Sequence, residues 1–558
     1  MNLIPMLKLA TLLQNPGEPE ITSQYKDPKV LRDLGYNGLV LYSTTGLSGV
    51  SSPDEIANRE LGRWVGQQLD EAARRVEEAV AVGLDVYLSY DMLVLPKAYV
   101  TSHEEELCCK GSEEMLCPAS SQANKRSMDA LKLLIQRMPR IAGIVLRLGD
   151  TDARRLPYLM GNDLYGPHCP RCSQLGRADR VIAAIEQAYD LVAEQNNRRL
   201  IVRAWNVRPS GFHDSPELAQ RIVDRLPGSP DDDRLVLSFK FTQTDFWRYQ
   251  PWNQSSTIVG ELTKGGRPIL YELQCQREFE GKGGIPNYQP TLWRDGMPEA
   301  FEIDRGGLAQ VAGQVNLAGL WAWVRGGGWG GPFVQDEAWI DANVNAVPKL
   351  AEDPKADVSV LARHWAEDRL GIDEPELIAA VTGILERSAE LAREAFYFGP
   401  FTATKGSCWH PAADWVSDDQ LNAEACWRII QRIPEHELDL AIHEKEHAAQ
   451  VISDDRHLLQ SLVGDRNHDR LQSLVNTLIY AESLYATMHD LTAGLVAYRR
   501  FRDTGSRDYA ETARGRLLSA QSEWNHHAQR HAMLPGTATP FREFGFWELT
   551  QRVLDEVG

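Results

Sequence analysis

Eight short β-rich runs alternate with amphipathic helical stretches over the first 350 residues, and this alternation constrains the chain more than any other feature. The runs are "PMLKLATL" (5–12), "GLVLYS" (38–43), "DVYLSYD" (85–91), "AGIVLRLGD" (142–150), "RLIVRAW" (199–205), "RLVLSFKF" (234–241), "PILYELQ" (268–274) and "LAGLWAWV" (317–324). Between them lie helix-period segments such as "LGRWVGQQLDEAARRVEEAVAVG" and "ADRVIAAIEQAYDLVAEQNN". Strands that alternate with helices pair in parallel. Eight such units predict an α/β fold, a (β/α)8 TIM barrel over 1–352. A doubly wound open sheet is the rival, but no glycine-rich dinucleotide loop follows an early strand. After "LAEDPKADVS" the β signal stops, and apolar residues recur at three- and four-residue spacing, predicting an all-α C-terminal domain over 353–558. That domain is expected to cap the barrel mouth or to mediate a homodimer.

The chain's 558 residues exceed what one ordinary core holds. A formal net charge of −19 argues against a nucleic-acid partner. It permits an anionic small substrate, because a cationic pocket can sit in an acidic shell. No apolar run is long enough to cross a membrane. The opening "MNLIPMLKLATLLQNPGEP" reads as a strand rather than a signal peptide, which places the expected location in the cytoplasm. Of eight cysteines, Cys169 and Cys172 form a C-x-x-C beside His168, and Cys108, Cys109 and Cys117 lie in "CCKGSEEMLC". Structural zinc at Cys169 and Cys172, completed by Cys108 or Cys117, stands against free thiols or a disulfide.

In a barrel of this type chemistry gathers at the carboxyl ends of the strands. Those ends carry Arg147, Asp150 and Asp152 ("LRLGDTD"), Arg203 and Trp205, then Lys240, Asp245, Trp247 and Arg248 ("SFKFTQTDFWRYQPW"). Glu272 and Glu278 follow in "YELQCQRE", and Trp321, Trp323, Arg325 and Trp329 in "LWAWVRGGGWGG". Paired carboxylates are what glycosidic cleavage requires, and aromatic faces stack on pyranose rings. Several cations together suit a uronic acid carboxylate better than a neutral sugar. Solvated or structurally paired charges are the plain reading of any one of these residues.

The stretches "FKFTQTDFW", "ELQCQREFEGKG…YQPTLW", "VAGQVNLAG…WAW…GGPFVQDEAWIDAN", "VRAW" and "GLDVYLSY" resemble glycoside hydrolase family 67, the xylan α-1,2-glucuronidases, patchily over about 30–370. The resemblance implies an exo-acting, inverting α-glucuronidase, or a sister family with another uronate substrate. It implies that Asp245 and Glu272 activate water and that Arg203 and Lys240 bind the uronate, with Arg147 near a third cation. The family's general acid is a glutamate; the matching position is Asp152, with Asp150 one step away and Glu278 a substitute. The family's N-terminal β-domain has no counterpart here, and "ARRLPYLMGNDLYGPHCPRCSQLG" is inserted after the fourth strand. The implied mechanism uses no cofactor or catalytic metal. Inversion expects acid and base roughly 6.5–9.5 Å apart.

Three rivals remain. His443, Glu444 and His447 in "AIHEKEHAAQ" have the H-E-x-x-H spacing of zinc hydrolases, but charged Lys445 and Glu446 between them favour a solvated helix face. A uronate lyase would use the same cations with a Tyr, His or Lys base. A barrel that binds uronates without turnover is the third.

Overall fold

The computed structural model describes residues 6–13, 21–148, 156–162, 164–166, 168–206, 210–230, 232–246, 251–276, 285–296, 306–326, 336–399, 420–531 and 542–558. The eight β-rich runs all become strands: β1 Leu7–Leu13, β2 Gly38–Leu41, β3 Asp85–Asp91, β4 Gly143–Arg147, β5 Arg199–Arg203, β6 Leu235–Lys240, β7 Ile269–Gln274 and β8 Leu317–Gly326. Each pairs in parallel with its sequence neighbours, and β1 pairs with β8 to close the barrel. The open-sheet rival is thereby excluded. Most strands are shorter than their apolar runs, and Arg147, Arg203, Lys240 and Glu272 lie within the sheet rather than beyond it.

Aliphatic residues on both faces explain the parallel pairing. Every residue of β2, β4, β6 and β7 is buried, as expected of strands covered outside by helices and inside by opposing strands. Closure of β8 on β1 needs a residue without Cβ at Gly319, where φ is 155° and a side chain would overlap the Leu7 carbonyl. The outer layer includes Arg59–Ala81, capped by Asn58, and Ser121–Arg137, whose Ala123 N–H donates to Ser120 Oγ at 3.1 Å. The helix at Arg177–Tyr189 runs on into a wider turn at Asp190–Gln195.

Beyond the barrel the chain is largely helical, with long helices at Pro375–Phe396, Leu438–Val463, Asp469–Thr504 and Arg507–His531. One short parallel strand pair, Gln420–Asn422 with Arg542–Phe544, departs from the all-helical expectation. Asp341, on the helix Ala338–Glu352 that follows β8, joins the two regions. It is buried and accepts from Tyr25 Oη (2.8 Å), Trp365 Nε1 (2.8 Å) and Arg369 Nη2 (2.7 Å). Among the described residues no helix is long and apolar enough to cross a membrane.

The H-E-x-x-H segment lies on the Leu438–Val463 helix. Lys445, expected on a solvated face, is instead fully buried, donating to the Glu394 carbonyl at 2.8 Å and to that of Tyr397. His447 pairs with Glu394 (Nδ1–Oε2 2.7 Å). The one cluster of three or more potential metal ligands among the described residues is elsewhere, and consists of cysteines.

Candidate active site

Strand register places the charged residues at one level of the barrel. Asp91 on β3 is opposite Arg147 on β4, which is opposite Arg203 on β5. Arg203 is opposite Ser238 on β6, and two residues on, Lys240 is opposite Glu272 on β7. Glu272 is opposite Trp321 on β8, and Trp323 is opposite Thr11 on β1. Because side chains alternate along a strand, all of these project to the same face. That face is the lumen, since Arg203 reaches past β6 to touch Glu272 on β7.

Three ion pairs result. Arg147 Nη1 lies 3.1 Å from Asp91 Oδ1. Arg203 Nε donates to both Glu272 oxygens, at 3.0 and 3.1 Å, while Ser238 Oγ donates to Oε1 at 2.8 Å. Lys240 Nζ donates to Asp245 Oδ1, which also accepts the Phe246 N–H at 2.8 Å. No member of the three pairs is more than 2% exposed. Ion pairs this deep are costly in solvation and weak as a source of stability.

Aromatic rings hold the cations. Arg147 lies 4.7 Å above the Tyr42 ring, Arg203 4.7 Å above Trp323, and Lys240 between Trp205 (3.7 Å) and Phe246 (4.3 Å). The rings touch one another. Trp323 stacks on Trp321 with centroids 5.3 Å apart and meets Tyr42 and Phe246 edge-on at 5.4 and 5.9 Å. The indole N–H groups of Trp321 and Trp323 and the hydroxyl of Ser89 are buried without a hydrogen-bond partner among the described residues. Buried donors of this kind ordinarily find an acceptor.

Behind Trp205 stands His213, with ring centroids 5.0 Å apart. Burial, and then the nearby Lys240 charge, push its imidazole down to about 3. It is therefore neutral at ordinary pH, and Nε2 donates toward the Thr242 carbonyl at 3.0 Å. Sequence reasoning passed over His213, Ser238, Tyr42 and Asp91. Asp91 had a signal, a carboxylate ending a predicted strand; the others depend on cross-strand register or loop return.

Of the sequence-selected residues, the structure brings together Arg147, Arg203, Trp205, Lys240, Asp245, Glu272 and Trp323. Arg325 is directed elsewhere: its Nη1 pairs with Glu337 Oε1 at 2.7 Å and donates to the Thr22 carbonyl at 3.1 Å. Asp150, Asp152, Trp247, Arg248, Glu278 and Trp329 lie outside the described residues. The expected surplus of cations is also revised. With Asp91 included, each of the three lumenal cations has a carboxylate partner.

The cysteine expectation changes in membership. Cys109, Cys117, Cys169 and Cys172 are the four that converge, their sulfurs all within 4.8 Å of one another. Neither Cys108 nor the His168 ring belongs to the set, because Cys109 rather than its neighbour turns toward the C-x-x-C.

No family model matches the chain, and no curated protein sequence does. Solved structures do. A family GH138 enzyme targeting pectin rhamnogalacturonan II superposes with a TM-score of 0.61 at 12% identity, covering 99% of this chain and 67% of that one. An O-GlcNAc hydrolase of Thermobaculum terrenum covers 99% of this chain and 94% of its own, with TM-score 0.43 and 9% identity. A β-N-acetylhexosaminidase from Bacteroides fragilis covers 62% and 66%, with TM-score 0.35 and 14% identity. The fold is thus one that glycoside hydrolases use. Identity this low speaks to fold alone.

Proposed function

We propose that the chain is a glycoside hydrolase, exo-acting and inverting, that removes a terminal uronic acid from oligosaccharides in the manner of an α-glucuronidase. One observation carries the reading: carboxylates and cations alternate around a single lumenal level of the barrel, backed by a continuous aromatic wall. Glu272 and Asp245, each fixed by a neighbouring cation, orient and deprotonate the attacking water. Arg203, Lys240 and Arg147 face the sugar carboxylate, and Trp205 and Trp323 its ring. The leaving oxygen takes its proton from Asp152 or Asp150, which follow β4 in sequence; Glu278 is the substitute. Trp247, Arg248 and Trp329 are assigned to substrate binding on sequence grounds alone. Arg325 is retained only as a brace for that rim. The family 67 resemblance supports these roles through local motifs. A division at 352/353, a homodimer through the helical region and a cytoplasmic location are proposed with it on sequence grounds.

A second reading has its own support. Because the three lumenal pairs balance, a neutral sugar also fits, bound by the indole N–H groups rather than by charge.

Proton NMR of terminal α-uronides from xylan and pectic oligosaccharides, run beside neutral glycosides, separates the two. Early release of the β-anomer of a free uronic acid is expected. Turnover of neutral glycosides alone supports the second reading, and ultraviolet-absorbing unsaturated product would indicate a lyase. Affinity without turnover identifies a binding protein.

A further inference from the structure

The four converging cysteines come from two excursions of the barrel, one after β3 and one after β4. Cys109 ends the first strand of the hairpin Cys108–Cys109 with Ser112–Leu116 and Cys117 follows its second, whereas Cys169 precedes the short helix Pro170–Ser173 and Cys172 is its third residue. The excursions also meet where Val94–Pro96 pairs antiparallel with Leu159–Gly161. In the corner beyond that pair, the cysteines form a cluster separate from the main apolar core, and Ala119 is the one further apolar residue packed against it among the described residues. Such a corner lacks the apolar mass that ordinarily holds loops together.

The sulfur geometry is that of a coordination shell. A tetrahedral zinc site with Zn–S bonds near 2.3 Å has S···S edges of roughly 3.8 Å. Here Cys109–Cys172, Cys117–Cys169 and Cys169–Cys172 are separated by 3.9, 3.7 and 3.6 Å. All four residues are buried, and their thiols are free. Donors already point at the sulfurs. The N–H groups of His168 and Cys169 lie 3.1 and 3.3 Å from Cys172 Sγ, and Arg171 Nε lies 3.3 Å from Cys117 Sγ. Donors directed at ligand sulfurs are the outer-shell support that metal thiolates require. They also oppose the negative charge that remains when four thiolates surround a divalent ion.

We propose that Cys109, Cys117, Cys169 and Cys172 hold one structural zinc ion that clamps the post-β3 excursion to the post-β4 excursion. Four sulfur ligands close the tetrahedron, so no position is left for water or substrate, and the site is structural rather than catalytic. On binding, the thiols release their protons to solvent and no oxidant or reductant takes part. Arg171 reinforces the clamp across the two excursions, donating from Nη1 to the Glu106 carbonyl (3.3 Å) and from Nη2 to that of Cys108 (2.9 Å). The proposal is independent of the reaction assigned to the barrel.

The test is elemental analysis of the full chain, produced with zinc and iron both supplied and purified under reducing conditions. About one zinc per chain is expected, released by a mercurial and absent from Cys109→Ser and Cys172→Ser, while Cys426→Ser keeps it. Cobalt-loaded wild-type protein should show sulfur-to-metal charge-transfer absorption, a readout that does not depend on the variants folding. Reduced, folded protein without metal would overturn the assignment. So would disulfides joining these cysteines in a non-reducing peptide map, or iron in place of zinc.

Discussion

Removing Arg203 alone should cost more stability than removing it together with Glu272, and the contrast tests what the lumenal charges are for. In Arg203→Met the Glu272 carboxylate, 0% exposed, loses both contacts from Nε and among the described residues keeps Ser238 Oγ alone. Breaking a buried pair from one side costs about 3–5 kcal/mol. Loss of the 4.7 Å contact with Trp323 adds roughly 1 kcal/mol. In Arg203→Met/Glu272→Leu no buried charge is stranded, but the Ser238 hydroxyl loses its acceptor, at about 1–3 kcal/mol. Adding Ser238→Ala removes that penalty, and the triple variant should match or exceed wild-type stability. Urea unfolding followed by tryptophan fluorescence gives the three values, with the slope checked for constancy. Every one of these variants should lose turnover and uronide affinity. Additive costs, with the triple variant least stable, would refute the idea that the pair is retained for chemistry. Turnover by the triple variant would remove Glu272 from the site altogether.

Two further outcomes concern stability. The folded state holds His213 neutral down to about 3, so as pH falls the unfolded chain takes up the proton first, near 6.5. Stability is lost across that window, about 2 kcal/mol of it between pH 7 and 5, and denaturant midpoints of His213→Asn should lack this share of the pH dependence. Asp341→Ala leaves Tyr25, Trp365 and Arg369 without their shared acceptor. It should cost about 3–5 kcal/mol and weaken cooperativity between barrel and helical region, seen as separated transitions by calorimetry; a shift under 1 kcal/mol would show that the hub does not join them.

The barrel was legible because buried parallel strands leave a nearly continuous apolar signature. In "GIVLR" and "LVLSFK" every residue is buried, and the charged side chain stands at the strand's last position. The same rule located Arg147, Arg203, Lys240 and Glu272, since a charge inside such a run has only the lumen to face. Loops carry no comparable period. Lys445 illustrates the failure: its charge and its neighbours read as solvent-facing, yet two backbone carbonyls at the end of Pro375–Phe396 accept hydrogen bonds from it and let it be buried. Cys109 was confused with Cys108 for a related reason, because adjacent residues in a hairpin face opposite sides and only the turn decides which faces inward.

The pairing of charges was beyond the reach of sequence for a different reason. Strand-end position says which residues enter the lumen but not which stand side by side, and that depends on register. A shift of two residues between β3 and β4 would keep both side chains in the lumen but part Asp91 from Arg147. Among the described residues the lumenal charges balance, so under the proposed function a uronate would share cations that carboxylates already engage. Such sharing favours discrimination over tight ground-state binding, because the anion gains only what differs between two partners. The expected signature is uronide affinity that rises as Asp91→Asn releases Arg147, with turnover falling as the substrate carboxylate is drawn away from Glu272. Isothermal titration against glucuronate, set beside kinetics, reads both. An Asp91→Asn variant with unchanged affinity would place the uronate away from Arg147 and return the neutral-sugar reading to first place.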